Sequence, residues 1–325
     1  MPNHRVAVLS NPASTRNLKN IGRMRRTVAA GSNILHLELD GIESMAEALR
    51  QIARYDPVVL IISGGDGTVQ ATLTSLRHKS PFNEVPPIAV LPSGKTNLIA
   101  ADLGMRGRPE ILFGDIVALA RSGKFRKTFV KRPLMRLDLG DGSPQHYGLF
   151  FGGAGLVNAI KFCRRWLFPL HLPNFLTHIL AVLLVTYSAI VGGRRKGSPT
   201  YSRKVSINAL GGGKLEGHFL VYIATSLDQL FLGIRPADWA GKGGIGLIAI
   251  EHNPRAVMRA LKAIIMGRIG TTTINGVPVR RINEIRITGR DPVLLDGEIL
   301  EVPDGHSLSL KAVEPMTFVS LRGYK

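Results

Sequence analysis

Along the first hundred residues, short apolar runs alternate with stretches of helical spacing. Arg5–Leu9, Ile34–Leu39, Val58–Ile62 and Ile88–Leu91 are compact apolar runs of the kind that form buried strands. Between them, Leu18–Ala30, Glu43–Arg54 and Val69–Leu76 carry helical spacing, and Leu98–Leu103 opens a further helix. This alternation predicts an open parallel sheet with crossover helices. After about Arg126 the texture changes to strands joined by Gly-rich turns: Lys204–Ala209, Gly211-Gly212-Gly213, Gly217–Ala224, Ile245–Ile250 and Ile285–Thr288. Only the apolar stretch Phe175–Val191 and the amphipathic segment Arg255–Met266 read as helices there. The expectation is an α/β protein: an N-terminal open parallel sheet with flanking helices over 1–126, and a β-rich, mostly antiparallel, sandwich-like domain over 127–325 whose last residues are free to return to the first.

Three polar loops follow three of these strands. They are Asn11-Pro12, Ser63-Gly64-Gly65-Asp66-Gly67-Thr68 and Pro92-Ser93-Gly94-Lys95-Thr96-Asn97. In a parallel sheet they converge at the carboxyl edge, where such sheets bind ligands. Consecutive glycines let backbone N–H groups approach an anion, and the following helix offers its positive end to a phosphate. Asp66 is out of place in a pure anion site, because a carboxylate repels phosphate unless a divalent cation or a proton intervenes. It reads as a magnesium-linked or proton-accepting group, against the plainer role of a turn residue. Gly94-Lys95-Thr96 has the tail of a P-loop, but Ala89 stands where the first glycine belongs. Lys95 suits phosphate contact, while Asn97 suits either a ligand or a helix cap. Near the C-terminus, Asp296-Gly297-Glu298 reads by spacing alone as a hairpin turn.

Composition narrows the partners. The 325 residues are 45% hydrophobic, enough for a sizeable core, and the formal net charge is +19. Such a charge attracts nucleotides, anionic membranes or nucleic acid. With 6% aromatics and no RNP or zinc-finger pattern, nucleic acid ranks last. The one cysteine, Cys163, permits neither an internal disulfide nor a Cys-rich zinc site, and Met1–Arg5 leads straight into a strand without a signal-peptide pattern, so a cytoplasmic location is expected.

Taken together, Asn11-Pro12, the Gly-Gly-Asp-Gly-Thr stretch ending at Thr68, the loop through Asn97 with Ala100 and Leu103-Gly104 behind it, and Asp296-Gly297-Glu298 resemble the diacylglycerol kinase catalytic-domain family, which includes sphingosine and ceramide kinases. The Gly-Gly-Asp-Gly-Thr element is shared with NAD kinases; the loop ending at Asn97 and the late Asp-Gly-Glu favour the lipid kinases. The resemblance implies a diacylglycerol kinase-like fold, ATP and Mg2+ as cofactors, and a lipid substrate. It implies nucleotide contacts at Asn11, Gly64, Gly65, Gly67, Thr68, Gly94, Lys95, Thr96 and Asn97. Asp66 would be linked to the metal and phosphates, and Glu298, or Asp66 in a different geometry, would be the general base. Departures are Gly94-Lys95 where the family has Gly-Thr before its asparagine, and Asn158 where an acidic residue is frequent. An NAD kinase-like enzyme with a soluble acceptor and a catalytically weak lipid- or nucleic-acid-binding member stay open beside the lipid kinase.

Asn174–Gly193 is almost uncharged and lies between Arg164-Arg165 and Arg194-Arg195-Lys196. It reads as an interfacial helix docking on an anionic membrane or as an ordinary core helix, ahead of a membrane span. The expected location is therefore peripheral, on the inner face of the membrane. Oligomeric state is not legible.

Overall fold

The structure is a computed structural model describing residues 4–122, 124–167, 186–188, 198, 200–210, 213–230, 234–239 and 241–323. The stretch read as an interfacial or a core helix, 174–193, lies almost wholly outside the described residues. The chain divides into two compact units, 1–132 with 314–325, and 133–313.

In the first unit, β1 (Val6–Ser10), β2 (Ile34–Glu38), β3 (Val59–Gly64) and β4 (Ile88–Pro92) form a parallel sheet in the order β4-β3-β1-β2. Every residue of β1, β3 and β4 is buried, as expected of strands covered on both faces, while β2 at the edge is only partly buried. Five helices follow the strands: α1 (Asn17–Ala29), α2 (Met45–Tyr55), α3 (Asp66–Lys79), α4 (Leu98–Asp102) and α5 (Pro109–Ala120). From β1 the chain moves to β2 on one side and then back across to β3 and β4 on the other. Right-handed crossovers therefore put α1 on one face and α2 and α3 on the opposite one. The packing agrees: α1 lies beside α5, and α2 beside α3.

The chain leaves the first unit along β5 (Phe129–Asp138) and returns along the final strand, β15 (Ser307–Val319), where Phe318 pairs with Ile88 of β4. The second unit is built from antiparallel pairs: β6 (His146–Gly148) pairs with β5, while β7 (Phe150–Gly153), β8 (Lys204–Ala209), β9 (Gly213–Thr225), β10 (Ile245–Glu251), β11 (Val279–Ile282), β12 (Glu284–Thr288), β13 (Val293–Leu295) and β14 (Glu298–Leu300) pair among themselves and, through β12, with β15. β9 pairs with β8 through its first half and with β7 and β10 through its second, so one long strand serves two sheets. Alternation in β8 and β12 sends Val205, Ile207, Ala209, Ile285 and Ile287 into a core shared with Phe151, Tyr222, Leu295 and Leu310. Among the described residues its α-helices are α6 (Gly155–Phe162) and α7 (Pro254–Ile265). The expected fold class, a parallel α/β sheet followed by an antiparallel β-rich region, is what forms.

Candidate active site

Because β1, β3 and β4 run parallel, the loops after them share one edge of the first unit, and the chain diverges to opposite faces between β1 and β3. That divergence opens a crevice at the carboxyl edge. Asn11 sits in it: its Nδ2 donates to Thr68 Oγ1 at 2.9 Å and its backbone N–H to the Ser63 carbonyl at 2.9 Å. Asn17 ties the same loops from below, donating through Nδ2 to the carbonyls of Asn11 (2.8 Å) and Ser63 (2.9 Å). The hydroxyls of Ser63 and Ser93 meet at 2.9 Å, joining the second loop to the third. Asn17, Ser63 and Ser93 are all buried. Sequence reasoning did not single them out. The signal was a serine at or just past the end of apolar strands, at Ser10, Ser63 and Ser93.

The glycines of the second and third loops have a packing reason as well as an anion-binding one. A Cβ on Gly64 would lie 2.6 Å from Thr68 Cβ, and one on Gly94 would lie 2.5 Å from the Gly65 Cα. Gly65 and Gly94 therefore bring two backbones into direct contact, which a side chain on Gly94 forbids. Gly67 follows in the first turn of α3, whose leading N–H groups lack intrahelical acceptors and suit an anion.

Asp66 is the first residue of α3, and its carboxylate turns toward the N-terminus of a different helix. The N–H of Leu98 donates to Oδ2 at 3.1 Å and that of Ile99 to Oδ1 at 3.0 Å. It thus caps α4 from a distance of 32 residues in sequence, an arrangement no local pattern announces. Burial pushes its pKa up, opposed by the backbone N–H groups of Ile99, Leu98 and Asn97. Asn97 adopts left-handed backbone (φ 56°) and closes its own loop: Oδ1 accepts from Gly94 N–H at 2.7 Å, and Nδ2 donates to the Gly94 carbonyl at 2.8 Å. Asn97 precedes α4, but its side chain does not cap that helix; Asp66 does so. Lys95 is half-buried, which pulls its ammonium pKa down, and Thr96 is exposed.

Beside the crevice, a concavity of about 550 Å³ is lined by Asn11, Pro12, Ala13, Glu38, Leu39, Asp40, Gly41 and Ile42, so it lies at the ends of β1 and β2. It offers apolar contacts from Leu39 and Ile42 and carboxylates from Glu38 and Asp40. Behind the third loop, Asp102 of α4 is fully buried between Arg132, 3.0 Å from Oδ2, and Arg322, 3.1 Å from Oδ1. These pairs anchor α4 to the first residues of β5 and to the C-terminal tail.

In the second unit, the turn Asp296-Gly297 is held rigidly. Both oxygens of the buried Asp296 accept backbone N–H bonds, from Leu149 and Phe150 at 2.8 Å each, and its own N–H donates to the Phe150 carbonyl at 2.8 Å. Asp296 and Gly297 both take positive φ, 46° and 95°. Glu298 follows as the exposed first residue of β14. Asp296 is thus the structural member of the motif, and Glu298 the exposed one.

The first unit thus carries an anion-competent crevice at the carboxyl edge of a parallel sheet. Residues 5–127 match the family model for the diacylglycerol kinase catalytic domain. The resemblance drawn from the loops is borne out by that match. Solved structures agree in fold over nearly the whole chain. One, described as "a putative diacylglycerol kinase from Bacillus anthracis str. Sterne", has a TM-score of 0.66 at 17% identity, covering 99% of each chain. Another structure, of diacylglycerol kinases from the same organism, has a TM-score of 0.60 at 15% identity, covering 98% of each chain. No curated protein matches the chain.

Proposed function

We propose that the protein is an ATP-dependent lipid kinase that transfers the γ-phosphoryl group to the hydroxyl of a membrane lipid of the diacylglycerol or sphingoid kind. The observation that carries this reading is the convergence of Asn11, Gly64, Gly65, Thr68, Gly94 and Asn97 at one carboxyl edge within a domain matched by the diacylglycerol kinase family.

The residues present fit a nucleotide. The first turn of α3, with Gly65, Gly67 and Thr68, receives the phosphates. Lys95 adds positive charge and Thr96 an exposed hydroxyl, and the concavity lined by Pro12, Leu39 and Ile42 has the size and apolar walls for a base. Asp66 has a dual part. Its carboxylate fixes the third loop against the second through Leu98 and Ile99, and it is the acidic group of these loops that would hold a metal ion. Among the described residues no group of three or more acidic, His or Cys side chains forms a metal cage. Mg2+ therefore fits as an ion brought with ATP and held largely by phosphate and water, supplying neutralisation of the developing phosphate charge. Glu298, exposed at the start of β14 and positioned by Asp296, accepts the proton of the lipid hydroxyl.

Among the described residues no helix is long and apolar enough to cross a membrane. Action at a membrane surface is favoured by the formal net charge of +19, which attracts anionic lipid. The test is transfer of labelled γ-phosphate from ATP with Mg2+ into total membrane lipid. Chloroform-soluble label that disappears in Asp66→Ala and Glu298→Gln supports the reading. Label confined to water-soluble products would point to a soluble acceptor, and undiminished lipid label in both variants would sink the residue assignments.

A further inference from the structure

The second unit carries an unassigned surface on α7. Its N-terminus is capped by Asn253, whose Oδ1 accepts from Ala256 N–H at 2.8 Å, and it packs inward through Ala256, Val257, Ala260 and Ala263. The partners of that inner face include Trp239, Ile248, Ile269 and Val277. The outward face repeats at helical spacing: Arg255, Met258, Arg259, Lys262, Ile265 and Met266 fall within about a third of a turn of one another at 100° per residue.

This face combines two features that seldom coexist on a free surface. Met258, Ile265 and Met266 are 52%, 77% and 52% exposed, although large apolar side chains are expected inside. The same face is purely cationic. From His252 to Asn283 the chain contains Arg255, Arg259, Lys262, Arg268, Arg280 and Arg281 and not one Asp or Glu. Arg259 reaches the carbonyl of Asn275, and among the described residues neither it nor Arg255, Lys262 or Arg268 joins an ion pair. An ordinary solvated helix face mixes both signs of charge, whereas this one excludes acids and exposes methyl groups.

We infer that α7 is a membrane-docking helix that lies on an anionic lipid bilayer, with Met258, Ile265 and Met266 entering the boundary between headgroups and acyl chains and Arg255, Arg259, Lys262 and Arg268 meeting lipid phosphates. Anchors of this kind combine apolar residues with a cationic rim. A nucleic acid is the poorer occupant: the segment 252–283 has no Phe, Tyr or Trp for base stacking, and a phosphate backbone gives no reason to expose Met and Ile. The inference rests on the lipid-kinase reading only for the purpose of docking; binding itself needs no turnover.

The test is co-sedimentation of the full chain with vesicles of phosphatidylcholine alone and of phosphatidylcholine with phosphatidylserine. Two variants are compared with the unaltered chain: Arg255→Glu/Arg259→Glu/Lys262→Glu, and Met258→Ser/Ile265→Ser/Met266→Ser. All six positions are exposed, and circular dichroism checks that each variant is folded. The unaltered chain should pellet with the anionic vesicles and far less with the neutral ones. Charge reversal should weaken partitioning by ~100-fold or more, about fivefold for each cation lost. The serine variant should bind at least ~10-fold more weakly, with the remainder released by salt. Binding unchanged in either variant overturns the proposal. So does loss in the charge variant alone, especially with parallel loss of duplex DNA binding, since that describes a polyanion surface that inserts nothing. Transfer to a lipid dispersed in neutral detergent separates the two claims. If both variants match the unaltered chain there but fail on vesicles, docking and kinase readings stand together. Vesicle binding through α7 without any transfer would remove the kinase and leave the docking helix.

Discussion

Replacing Gly94 by alanine tests whether the two glycine loops act as one packed unit. The added Cβ would lie 2.5 Å from the Gly65 Cα, 3.3 Å from its nitrogen and 3.1 Å from Asn97 Oδ1. Carbon atoms in contact prefer about 3.5–4.0 Å, so the loops must part by roughly 1 Å. The obstacle is backbone, so no rotamer change relieves it, and overpacking of this kind costs about 1–3 kcal/mol. The same movement shifts the Ser93–Asn97 loop relative to the first turn of α3 and strains the ring that Asn97 closes with Gly94. A misplacement of about 1 Å at a reacting centre lowers turnover on the order of a hundredfold. Urea unfolding and ATP-dependent transfer are measured on the same preparation. Gly22→Ala in α1 serves as the control, because nothing lies within 4 Å of its Cβ. It should stabilise the protein by about 0.5–1 kcal/mol and leave transfer unchanged. A Gly94→Ala protein with the unaltered urea midpoint and full activity would refute the idea that the loops are fixed by this contact.

Other outcomes follow from the same geometry. Arg132→Ala should destabilise by about 3–5 kcal/mol in urea, because it strips the fully buried Asp102 carboxylate of its buried guanidinium partner. Asp296→Ala orphans two backbone N–H groups, at roughly 1–3 kcal/mol each, and should lower turnover by displacing Glu298; a normal unfolding midpoint would contradict the positioning role. Asp66 has its pKa raised by burial, so the folded state holds the proton more tightly than the unfolded chain. Its favourable contribution is present below the unfolded carboxylate value, about 3.9, and is lost as pH rises through the folded value. The stability of Asp66→Asn relative to the unaltered protein should therefore improve as pH rises through that window, and a difference that is flat with pH would argue against a desolvated carboxyl.

The parallel sheet was legible because its strands are continuous apolar runs and its helices carry polar outer faces. α5 was not, since its exposed positions include Ile111, Gly114 and Ala118 and give the helical period little contrast. Among the described residues, the helices that were read began close to their observed starts, except α3, which starts at Asp66 inside the glycine loop, earlier than the apolar spacing from Val69 suggests. The loops were legible as a set. Their internal wiring was not: Asp66 to Leu98 and Ile99, Asn17 to Ser63, and Asp102 to Arg132 and Arg322 join residues tens to hundreds of positions apart, and only the folded sheet brings them together. For Asp296 the spacing indicated a hairpin turn, and the structure adds the reason for an aspartate there, two backbone donors from β7 and the residue before it.

The most direct test of the central claim is phosphorus NMR of a reaction containing the full chain, ATP, Mg2+ and diacylglycerol or a sphingoid base in mixed micelles. A lipid phosphate monoester resonance should grow in step with ADP, with no growth of either signal for Asp66→Ala. ADP appearing with inorganic phosphate alone, or ATP left intact with both lipids, would contradict it.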